Sequence, residues 1–92
     1  MKQVRSNNIR LRNLEINIIA LEKGIKDYEM IKADAYRNLN NLRADEGTKS
    51  EKVIEKSREK FSITIEICVA RINALKDLLA KYNGLYKTEE NM

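Results

Sequence analysis

The residues of this chain that could do chemistry are few, and their spacing argues against catalysis. There is no histidine among the 92 residues, so the commonest general base, metal ligand and triad member is missing. The single cysteine, Cys68, has no histidine to make it a nucleophile and no second cysteine with which to form an intrachain disulfide. Glu15, Glu22 and Glu29 recur every seven residues. They line one side of a helix but lack the Glu-x-x-His pairs that complete carboxylate-bridged metal sites in bundles. Asp45 and Glu46 beside Gly47 form too short a run for a calcium loop. The three glycines, Gly24, Gly47 and Gly84, lie too far apart to cradle a phosphate. The residues therefore predict a non-enzymatic protein without metal or cofactor.

Charge is the second candidate for function. The net charge is +4, and Lys2, Arg5, Arg10 and Arg12 precede the first acid, Glu15. The other 14 basic and 14 acidic side chains cancel. The excess is thus a basic N-terminal arm on a neutral body. Those four residues are candidate phosphate contacts for nucleic acid, or contacts for an anionic membrane surface. The competing reading is a solvated helix start that only keeps the protein soluble. A single phenylalanine, four tyrosines and no tryptophan leave little for base stacking.

The elements that must position these groups follow from hydropathy. Proline is absent and 35% of residues are charged, which favours long uninterrupted helices. Leu11, Leu14, Ile18, Leu21, Ile25, Tyr28, Ala35, Leu39 and Leu42 recur every three or four residues, broken once by Lys32. A second series runs Ile54, Phe61, Ile65, Cys68, Ile72, Leu75, Leu79, Tyr82 and Tyr86. Such spacing makes an apolar stripe along a helix, and the stripe must pack against another. Between the series, Gly47 suits a left-handed helix stop. Thr48 and Glu51 fit a capping box opening the next helix. A connection this short forces the helices antiparallel.

The expected fold is therefore all-α: a coiled-coil-like antiparallel hairpin over residues 9–86. A basic arm, 1–8, precedes it and a frayed tail, 87–92, follows. Helix boundaries are expected at 9–45 and 51–83, with a turn at 46–50 and a glycine stop at Gly84. In antiparallel pairing the numbers of facing residues add to a constant. A sum of 93 pairs Leu21 with Ile72 and centres the turn on Gly47; a sum of 100, one heptad away, keeps the same apolar layering. The run Phe61–Val69 alternates apolar and polar residues and by itself reads as a strand. Helical seams on both sides and no bounding turn favour helix.

Apolar residues also lie off the seam. Ile16 and Ile19 on the first helix, and Ile63, Ile67, Ala70 and Ala74 on the second, form a further stripe on each helix that one hairpin cannot bury. They are the expected interface residues of a homodimer closing into a four-helix bundle, or of a groove for a different protein. The functional reading is a helical protein–protein interaction module: an adaptor, inhibitor or assembly factor. The alternative is a small dimeric nucleic-acid-binding protein using the basic arm. The abundance of Lys, Asn and Ile points to an AT-rich bacterial or phage genome. No stretch approaches the ~18 apolar residues of a membrane span, and no signal segment is recognisable, so a cytoplasmic location is expected.

Overall fold

A computed structural model describes residues 8–43 and 47–91. Two helices account for nearly all of them: α1, Ile9–Leu42, and α2, Glu51–Glu90. They pack against each other as a hairpin 64 Å long and 19 × 13 Å across. The run Phe61–Val69 is helical, and no strand occurs among the described residues. The helical seam on each side thus prevails over the β-branched alternation, because one face of the run is needed to continue the seam.

Both helix starts are capped by the side chain just before them. The Asn8 side chain accepts from the backbone N–H of Arg10 at 2.9 Å and of Leu11 at 3.3 Å. Ser50, not Thr48, caps α2, its hydroxyl accepting from the Val53 N–H at 3.3 Å. The two hydroxyl residues lie two positions apart; the one adjacent to the helix takes the role, and the expected capping box with Glu51 does not form. Gly47 has φ +89°, the left-handed conformation expected of it. Helix α1 is described to Leu42, and the expected helix end at 45 lies outside the described residues.

The seam is as the spacing requires, but its register differs from the favoured one. Ile18, Ala35, Leu42, Ile54, Cys68 and Ile72 are buried. Leu14, Leu21, Ile25, Tyr28, Leu39, Ile65, Leu75 and Leu79 are half-buried beside them. Three cross-helix contacts fix the alignment. Tyr86 bonds Glu15, Arg10 reaches Glu89, and a methyl of Leu75 lies 3.4 Å from where a Cβ on Gly24 would stand. The residue numbers in these pairs add to 101, 99 and 99, so facing residues sum to about 100 and not to 93. The shift by one heptad re-pairs the seam into as many apolar layers, which is why layering alone could not decide it. It sets the start of α1 flush with the end of α2. The sum of 93 would leave the last turn of α2 overhanging the hairpin.

Gly24 faces Leu75 across the seam, and a Cβ there would meet the Leu75 methyl at 3.4 Å, an ordinary van der Waals contact. Gly84 does not stop α2, which continues through Leu85 and Tyr86 to Glu90; the expected boundary at 83 and the tail from 87 are corrected. A glycine inside a helix costs only about 1 kcal/mol. Tyr86 and Glu89, held against α1, offset it.

The two glycines give opposite expectations. A Cβ at Gly84 meets nothing within 4 Å, so Gly84→Ala should raise stability by about 0.5–1 kcal/mol through helix propensity. Gly47→Ala forces a side chain into the left-handed region and should lower stability by about 1 kcal/mol. Thermal unfolding followed by circular dichroism reads both, with Gly84→Ala melting above and Gly47→Ala below the parent chain.

Candidate protein-binding surface

The off-seam apolar residues remain on the outside of the hairpin. Ile16, Ile63 and Ile67 are 48%, 47% and 53% exposed. Ala70 and Ala74 are exposed as well, and Ile19 is half-buried. The register separates them into two patches. Facing numbers near 100 put Ile16 and Ile19 beside residues 84 and 81 of α2, near the open end of the hairpin. Ile63, Ile67, Ala70 and Ala74 stand beside residues 37 to 26 of α1, in its middle. At 1.5 Å per residue the patches are at least about 10 Å apart along the axis. The two off-seam stripes, one on each helix, are therefore offset along the hairpin.

Exposure extends to residues outside that set. Ile31 and Tyr36 on α1, and Leu78 and Leu85 on α2, are also large and open, at 41–51%. Leu78 and Leu85 follow seven apart on the flank of α2 next to Ile67 and Ala74, a spacing visible in the sequence once the seam positions are set aside. The chain exposes 7269 Å² in all. A compact monomer of 10.7 kDa exposes about 5,500 Å². The excess is that of an elongated shape, 64 × 19 × 13 Å, in which each helix keeps an open outer face.

The basic arm is only partly within the described residues. Lys2 and Arg5 lie outside them; Arg10 and Arg12 are exposed in the first turns of α1. No acid occupies that first turn, so both cations sit at the positive end of the helix dipole, where they are disfavoured. Arg10 approaches Glu89 at 3.9 Å while remaining 79% exposed, a loose and well-solvated pair.

One of the glutamates on the flank of the seam is not solvated as expected. Glu15 is 8% exposed and accepts a hydrogen bond from the Tyr86 hydroxyl at 3.1 Å, whereas Glu22 and Glu29 are exposed. The register explains the difference, because it brings the last turn of α2 alongside Glu15 and leaves the other two beside shorter side chains. The hydrogen bond to Glu15, with burial and the charges of Glu15 and Glu90, raises the Tyr86 pKa. Cys68 is a buried free thiol in the seam. Among the described residues no group of three His, Cys, Asp or Glu side chains could hold a metal ion.

Glu15 and Tyr86 form a polar clasp at the open end of the hairpin, and it has a pH signature. Tyr86 titrates higher in the folded chain than in the unfolded one, so the unfolded state loses its proton first. The contribution to stability is complete below about pH 10 and is lost as pH rises through the raised value. Tyr86→Phe should lower the melting temperature by a few degrees at neutral pH and remove this alkaline component. Melting curves between neutral and strongly alkaline pH check both effects. No protein-family model, no curated protein and no solved structure matches the chain.

Proposed function

We propose that this chain is a non-enzymatic helical protein–protein interaction module that acts as a homodimer of hairpins, four helices in all. The reading rests on one observation above the others. Large apolar side chains stay open on both helices. Water contact at such positions is unfavourable by about 25 cal/mol per Å², and covering them by association is the physical remedy. The lack of histidine and the placement of the single cysteine inside the seam are consistent with a protein that binds rather than catalyses. Adaptor, inhibitor and assembly-factor roles all use a surface of this kind. A bacterial or phage source and a cytoplasmic location remain part of the proposal; no helix among the described residues is long and apolar enough to cross a membrane.

A second reading has one observation in its favour. Arg10 and Arg12 stand in helix turns where their charge opposes the dipole, a placement that phosphate contact would explain. In that reading the arms of a dimer, Lys2, Arg5, Arg10 and Arg12, bind nucleic acid.

Two measurements separate the readings. Sedimentation at micromolar concentration should give a species of twice 10.7 kDa; a monomer removes the homodimer. Nucleic-acid retention should be weak and unchanged when Arg5, Arg10 and Arg12 are replaced by Gln. Tight binding whose salt dependence flattens in that variant would move the assignment to the second reading.

A further inference from the structure

The middle of α2 carries a second seam of its own. Ile63, Ile67, Ala70 and Ala74 follow at intervals of four, three and four residues, the spacing of a coiled-coil stripe. All four are exposed, and they lie on the side of α2 away from its packing stripe of Ile65, Cys68, Ile72 and Leu75. Lys60 continues the stripe at one end and Asp77 at the other, both exposed. Neither forms an ion pair among the described residues.

We propose that this stripe binds the same stripe of a second copy, α2 against α2 in antiparallel orientation, with facing residue numbers adding to 137. The assignment rests on the self-assembly proposed above and specifies its surface. In that alignment Ile63 meets the partner's Ala74, and Ile67 meets the partner's Ala70. By the two-fold symmetry each contact occurs twice, so four successive layers each hold one large and one small residue. The next layer at either end sets Lys60 against the partner's Asp77. The neighbouring alignments that keep the layering, sums of 130 and 144, fail on these same residues. The first sets Ile against Ile and Lys60 against Ala70. The second sets Ile63 against Lys81 and Ile67 against Asp77, burying charge on apolar surface. Over the stretch from Lys60 to Asp77, only this register combines large with small and positive with negative. That self-complementarity is what a two-fold interface requires, and it points to a second copy rather than to a different protein.

The contact from Lys60 to Asp77 is about 26 Å long. Because the stripe lies nearly opposite the hairpin seam, the four helices stand in the order α1–α2–α2–α1. The assembly is an open layer in place of the closed four-helix bundle, and Ile16 and Ile19 on α1 stay outside it.

The test is a charge exchange at Lys60 and Asp77. Lys60→Asp and Asp77→Lys each set like charges face to face twice per dimer. Each should weaken dimerisation at least tenfold, with the helical circular dichroism unchanged because both positions are exposed. The double variant restores opposite charges and should recover the parental affinity. The two single variants mixed together should form a heterodimer in which both end layers are paired. Lys76→Glu, off the stripe, should leave assembly as it was, and Ile67→Glu should give a folded monomer. A dimer indifferent to Ile67→Glu and to the single charge variants overturns this interface but keeps self-assembly. A monomeric parent chain overturns both.

Discussion

The antiparallel seam between α1 and α2 is the one contact on which the rest of this molecule depends. A two-helix hairpin has a single internal interface, so its tertiary stabilisation comes from one row of layers. The row is made of Ile, Leu, Ala and Cys side chains with few aromatics, and six of its apolar members are nearly removed from water. Helices of 34 and 40 residues are long enough to be partly stable by themselves. The seam turns that local tendency into one structure by fixing which residues face each other. Everything placed on the outside inherits its position from that alignment.

The polar contacts serve the alignment more than they add energy. Shifting one helix by seven residues leaves as many apolar layers, since a stripe repeats with that period. Groups that do not repeat must distinguish the registers. Tyr86 reaching Glu15 and Glu89 near Arg10 each occur once along the chain. A buried carboxylate bonded by a phenol is costly if displaced, because the partner group would be left desolvated. This is the known use of an isolated polar group in a coiled coil: it penalises the wrong pairing.

Much of this was legible in the residues and some was not. The two seams, the antiparallel turn and the left-handed Gly47 follow from spacing and from steric rules that act locally. The register was ambiguous because both candidate sums satisfy the same periodicity. Glu15 looked solvated because its heptad position is usually wet, and its burial depends on Tyr86, 71 residues away. Gly84 looked like a stop because its local cost is visible while the contacts that outweigh it are not. Thr48 and Ser50 are equivalent cap residues by type, and only the start of α2 selects between them. For the surface, the exposure of Ile16, Ile63 and Ile67 follows from the same stripe reading. Their offset along the hairpin depends on the register and could not be read in advance.

The flush alignment of Ile9 with the end of α2 has a mechanical consequence. Tension applied across residues 9 and 90 acts perpendicular to the seam, so the layers open one after another like a zipper instead of sliding together. The first links to carry load are Arg10–Glu89 and Glu15–Tyr86, both at the pulled end. A hairpin loaded in this way yields at a lower force than the same seam pulled in shear, and it closes again from the turn, where the helices never separate.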